Sequence, residues 1–141
     1  MEARTCVPFL RTNIRKALNL LHSPVTDLSI AIVPSNMMSR LHKKHMGIRG
    51  PTDVLTFALD HDARGRPTAG EIILCSTVAR RQAQQCSHSL RDELLLYAVH
   101  GLLHLSGFDD RTASAFAAMH AKEDQILTQL GIGPVFTRGS R

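Results

Sequence analysis

At 141 residues and 43% apolar content, the chain has the length of one domain, able to bury roughly 70% of the surface its unfolded form exposes. Its three cysteines, Cys6, Cys75 and Cys86, are odd in number and never spaced C-x-x-C, which argues against a disulfide framework or a thiolate zinc site and leaves them as small buried or half-buried residues. A net charge of +5 favours a polyanionic partner, nucleic acid before an anionic membrane surface.

The N-terminal stretch MEARTCVPFLRTNIRK is charged throughout and does not read as a signal peptide. No window approaches a membrane span, so a cytoplasmic protein without membrane partners is expected. Residues 9–21 place Phe9, Leu10, Ile14, Ala17, Leu18 and Leu21 at helical spacing. Leu28, Ile30 and Ile32 then alternate as a half-buried strand ending near Pro34. Ser35 is expected to cap a short helix through about His45, with Met38 and Leu41 inward. The β-forming run 52–59 and the run EIILCS, 71–76, flank a polar loop with Gly and Pro, which predicts an antiparallel hairpin. Thr77 opens a helix through about Gln85.

Ser89 followed by Asp92 has the form of a capping box. The helix it starts, LRDELLLYAVHGLLHL, is apolar nearly all round and belongs in the interior; Ser106-Gly107 stops it. A last helix follows Thr112, with Phe116, Met119, Ile126, Leu127 and Leu130 inward, closed by Gly131. Few strands and several helices, not in regular alternation, predict a single α+β domain over residues 1–133, and 134–141 read as a flexible tail.

His100 and His104 stand four residues apart on the apolar helix, on one face and one turn above each other. Two imidazoles so placed can reach one cation at about 2.0–2.1 Å, and Gly107 lets the chain turn so that Asp110 arrives as a third ligand. Three protein ligands with an open fourth position is the arrangement of a catalytic zinc. Two satisfied core histidines are the plainer alternative, which the glycine and acidic residues that follow the pair make less favoured. A zinc peptidase would carry Glu after the first histidine, in H-E-x-x-H. Gly101 stands there instead, a residue suited to close approach of another element or of substrate.

The run HGLLHLSGFDD, His100 to Asp110, together with PTDVLTF, Pro51 to Phe57, and Gly70-Glu71-Ile72-Ile73, closely resembles the YbeY family of metal-dependent endoribonucleases. The order and spacing of these motifs match over roughly residues 25–130. The resemblance implies a mixed sheet packed against about five helices, with one catalytic zinc ion on a central helix, in a cleft beside the PTDVL strand. It implies cleavage of single-stranded ribosomal RNA, maturation of the 3′ end of 16S rRNA, and ribosome quality control with the small subunit as partner. His100 and His104 match the first two ligands.

Three features depart from the family pattern. Asp110 stands where the third ligand is usually histidine; its oxygen is a competent zinc ligand that makes a bound water less acidic and widens the choice of metal toward harder cations such as manganese. Asp109, matching the family's own Asp, is a capping residue, a hydrogen-bond partner in the second shell, or an alternative ligand. In LHKKHMG, Leu41 to Gly47, Met46 replaces the arginine expected at the phosphate and His42 an asparagine; Lys43, Lys44 and Arg49 are the candidates to supply that charge. The chain begins close to its first helix, so the family's N-terminal strand is shortened or missing. Thr52 and Asp53 are the candidate catalytic residues across the cleft, with strand-start capping as their structural alternative. An RNA-binding assembly factor that no longer cleaves, and a metal hydrolase of another substrate, are the rival readings.

Overall fold

The computed structural model describes residues 2–139. After a short 3-10 turn, Ala3–Cys6, the elements run α1 (Val7–Leu20), β1 (Asp27–Val33), α2 (Ser35–Met46), β2 (Val54–His61), β3 (Pro67–Cys75), α3 (Ser76–Cys86), α4 (Leu90–Leu105), α5 (Ala113–Gln129) and α6 (Val135–Arg138). The three strands form one mixed sheet in the order β1-β3-β2. β2 and β3 are the expected antiparallel hairpin, with Thr56 opposite Ile72, and β1 joins β3 in parallel, with Ile30 opposite Ile72. At the hairpin turn, Asp62 Oδ1 accepts from the backbone N–H groups of Arg64 and Arg66, both at 2.9 Å.

The central strand β3 buries Ile72, Ile73, Leu74 and Cys75. Side chains on its two faces enter two apolar clusters, one under α1, α4 and α5 and a smaller one that takes in Met38 of α2 and Val78 of α3. Helix α4 is the spine of the larger cluster, and twelve of its sixteen residues are buried, as its all-round apolarity requires. It lies close on the sheet at Gly101. A Cβ there would meet Ile72 Cγ2 and Thr56 Oγ1, each at 2.9 Å, so the small residue is explained by contact with the sheet. Ser89 caps α4, accepting from Asp92 N at 3.2 Å, and Thr112 caps α5 through Ala115 N at 3.0 Å.

Three local expectations are corrected. Ser35 is the first residue of α2 and Pro34 holds its cap position without a side-chain cap; the Ser35 N–H is satisfied by Thr77 Oγ1 of α3 at 3.1 Å, so tertiary contact does what a local cap would do. Phe116 is 45% exposed instead of inward, because the inner stripe of α5 runs through Met119, Glu123, Ile126 and Leu127. Residues 135–138, assigned to a flexible tail, form α6, with Val135 fully buried and the Phe136 N–H donating to Asp124 Oδ1 at 2.9 Å; residues 140 and 141 of that tail lie outside the described residues.

Candidate metal centre

The last two turns of α4 place two imidazoles on the helix face beside β2. Past Leu105 the chain reverses through Gly107 at φ +99°, with Phe108 N donating to Leu103 O at 3.0 Å, a glycine-terminated helix end of the left-handed type. That reversal returns Asp110 to the histidines. His100 Nε2 and His104 Nε2 lie 3.1 Å apart, and Asp110 Oδ2 is 3.7 Å from the first and 4.0 Å from the second. A triangle with these sides has a circumradius of about 2.1 Å, so one point stands at a metal–ligand distance from all three atoms at once. The donor set of two imidazoles and one carboxylate suits a divalent ion and leaves coordination positions open.

Asp109 takes a different part. Its Oδ1 accepts from Arg111 N at 3.1 Å, which tightens the turn, and Asp110 is the aspartate turned to the histidines.

Behind the triad lies a group that the sequence reading passed over. Glu123 of α5 is fully buried. One of its carboxylate oxygens pairs with His100 Nδ1 and the other with His120 Nδ1, the latter at 2.6 Å. A carboxylate accepting the Nδ1 proton fixes the tautomer in which His100 Nε2 carries a lone pair toward the metal position. His120 stacks on Phe136 at 3.6 Å between ring centroids and an interplanar angle of 7°. The signal was present: Met119, Glu123, Ile126 and Leu127 share one helical stripe, and a charge inside an apolar stripe demands a partner. His100, His120 and Glu123 also group closely enough to bind an ion, but the 2.6 Å contact is hydrogen-bond length, and both Glu123 oxygens already serve histidines.

The electrostatics follow from the same contacts. Burial pulls His100 toward the neutral form, but the Glu123 hydrogen bond and charge, then Asp53 and Asp110, outweigh it and lift its pKa above the usual value. His104 goes the other way, lowered by burial and by the His100 charge. Three carboxylates around His100 thus favour positive charge at this point, whether a proton or a metal supplies it.

The histidines and Asp110 open into a cleft of about 490 Å³. Thr52, Asp53 and residues 54–58 of β2 form its other side, with Met46 at the end of α2. Thr52 and Asp53 are therefore brought to the site. Asp53 Oδ1 also accepts from Val54 N at 2.8 Å, with Thr52 Oγ1 at 3.3 Å, so the capping alternative holds alongside a place in the cleft. Lys43, Lys44 and Arg49 are exposed and are not among the lining residues. His42 ties α2 to the following loop, its Nδ1 2.9 Å from Gly50 O.

The endoribonuclease YbeY family model matches residues 4–131. The chain belongs to that family. Proteins named endoribonuclease YbeY from Acidothermus cellulolyticus and Frankia alni are 40% and 43% identical to it, over 116 and 115 residues, covering 74% of this chain in both cases and 71% and 64% of theirs. The YbeY of Saccharopolyspora erythraea is 40% identical over 114 residues, 74% of this chain and 62% of its own. The chain spans less than two thirds of the length of most of these curated relatives. Its fold matches the solution structure of a Thermotoga maritima protein with a TM-score of 0.63, covering 96% of this chain and 90% of that one at 22% identity. Within the described residues no helix is long and apolar enough to cross a membrane.

Proposed function

We propose that this YbeY family member is a metal-dependent endoribonuclease that cuts single-stranded RNA, with ribosomal RNA of the small subunit as substrate and the 16S 3′ end as the site of action. The observation that carries this reading is the triangle of His100, His104 and Asp110, open to a cleft large enough for a nucleotide and backed by a buried carboxylate. His100, His104 and Asp110 are its metal ligands and zinc is the ion, with manganese as the harder alternative that the aspartate admits. A bound divalent ion would polarise a phosphate oxygen and lower the pKa of a water at neutral pH.

The chain's own residues have separate tasks. Glu123 holds His100 in its ligating tautomer. Asp53, across the cleft and close enough to act on the His100 charge, receives the proton of the attacking group, and Thr52 positions it. Lys43, Lys44 and Arg49 hold the RNA backbone outside the cleft, so affinity falls with salt. Gly101 lies where a zinc peptidase carries its general base, and the space beside it is filled by Ile72 and Thr56; this disfavours peptide hydrolysis.

Cleavage of a single-stranded RNA by the protein as purified, after chelation, and after zinc or manganese is restored tests the reading. Activity is expected to vanish with the metal and return with it. Peptide cleavage without RNA cleavage would reject the substrate. A second reading, an RNA-binding assembly factor, is favoured by Met46 at the cleft where the family pattern has arginine; it requires a protein that binds RNA but cuts none when fully metal-loaded.

A further inference from the structure

Glu123 is a charged side chain without exposure, set in the inner stripe of α5. One of its oxygens takes the His100 Nδ1 proton and the other the His120 Nδ1 proton, the second contact at 2.6 Å. His120 lies three residues before Glu123 on the same helix face, and its side chain is 13% exposed. It contributes no ligand to the triangle of His100, His104 and Asp110. Its ring is nevertheless fixed from three sides. Phe136 of α6 stacks on it at 3.6 Å between centroids, Phe116 meets it edge-on at 4.2 Å, and the His100 ring lies 5.7 Å away at an interplanar angle of 19°. Phe136 is held in turn by Asp124, beside Glu123 in the chain, which accepts from the backbone N–H groups of Phe136 and Thr137 at 2.9 and 3.1 Å.

We propose that His120 is a positioning residue of the metal centre: its Nδ1–H anchors one oxygen of Glu123 so that the other holds His100 with Nε2 toward the metal position. A carboxylate bonded at one oxygen still turns about its terminal torsion, whose preferences are broad. Bonds at both oxygens fix its plane. Without the second donor a buried oxygen is left unpaired, which drives the carboxylate to turn or to recruit water at the expense of its bond to His100. The stacked Phe136 ring keeps the His120 edge directed at Glu123, so α6 belongs to the support of the site. The proposal rests on the metal-centre reading and extends the chain of support one residue past Glu123.

Two variants separate the hydrogen bond from the packing. His120→Phe keeps an aromatic ring against Phe136 and removes the donor, whereas His120→Asn loses the ring and keeps an N–H donor near the Nδ1 position. Zinc affinity, read by chelator competition, is expected to fall about tenfold in His120→Phe, the lower end of the range for an outer-shell partner. His120→Asn is expected to stay close to wild type. Urea unfolding of the metal-free proteins is run beside it, because a residue that only packs changes stability and leaves affinity alone. His120→Leu, also without a donor, takes the place of the Phe variant should that one not fold. Unchanged affinity in the donor-free variant, or equal losses in both variants, overturns the proposal. The His100 Nδ1–H proton, followed by NMR in metal-free protein, gives a readout independent of metal. Its exchange with solvent is expected to quicken in His120→Phe and not in His120→Asn. If wild type binds no zinc, the metal-centre reading fails and this proton alone decides whether His120 positions His100; equal exchange in all three proteins then overturns the proposal.

Discussion

Two buried histidine–glutamate pairs sit at opposite ends of α4, and they serve different ends. Near its N-terminus His88 Nε2 meets Glu93 Oε1 at 2.5 Å, and the side chains are 5% and 0% exposed. Near its C-terminus His100 meets Glu123, which has no exposure either. The difference lies in the second ring nitrogen. His88 Nδ1 is buried, whereas His100 Nε2 faces His104 and Asp110 at the cleft. The first pair ties the segment preceding α4 to the helix, and the second holds His100 with its Nε2 toward the candidate metal position.

The largest effect that separates the two ends is expected from His104→Ala, which leaves one imidazole and Asp110 at the metal position. Metal affinity, read by competition with a chromophoric chelator, falls by more than the ~100-fold that marks loss of an outer-shell partner. Glu123→Gln comes next, weakening metal by roughly 10–100-fold through the tautomer and orientation of His100. Its counterpart Glu93→Gln leaves metal affinity unchanged while lowering stability by about 1–3 kcal/mol in urea unfolding, the cost of impairing a buried hydrogen-bonded group. Equal metal affinities for the two glutamine variants would abolish the distinction between the ends of α4.

Much of this was legible in the amino-acid sequence. The capping box at Ser89, the apolar run to Leu105 and the glycine after it mark α4 to the residue, because local signals and burial agree. The hairpin was visible as a pair of strands, since β2 and β3 are contiguous and their turn is polar, but β3 begins at Pro67, four residues before the expected Glu71. Hidden were the contacts made across distance. Thr77 completing α2 is one, the α6 packing of Val135 another, and the Glu123 bridge the most consequential. Each depends on which elements meet, which a periodicity does not encode. The cation candidates Lys43, Lys44 and Arg49 are not among the cleft's lining residues for the same reason, as nearness in sequence does not set which way a helix or the loop after it faces.

Two smaller effects calibrate the comparison. Gly101→Ala pushes a methyl group into Ile72 and Thr56 and is expected to cost about 1–3 kcal/mol, by overpacking, in the same urea assay. Smallest is Asp62→Ala at the hairpin turn, a half-buried counterpart to both fully buried carboxylates. Backbone hydrogen bonding from Arg66 holds the Asp62 pKa below its ordinary 3.8. A depressed folded-state pKa contributes stability above the unfolded value and loses it as pH falls through the folded one. The difference in urea midpoint between wild type and Asp62→Ala is therefore expected to be constant near neutrality and to shrink below pH 3.8. Growth of that difference on acidification would contradict the assignment.

The claim on which the rest depends is that Asp110 completes the site. Metal stoichiometry and affinity of wild type and Asp110→Ala, both purified without chelator, test it most directly. Near-stoichiometric metal in wild type and little or none in the variant, with the fold retained by circular dichroism, is the predicted result. Equal metal in both proteins would show that His100 and His104 bind their ion without Asp110 and would contradict the account.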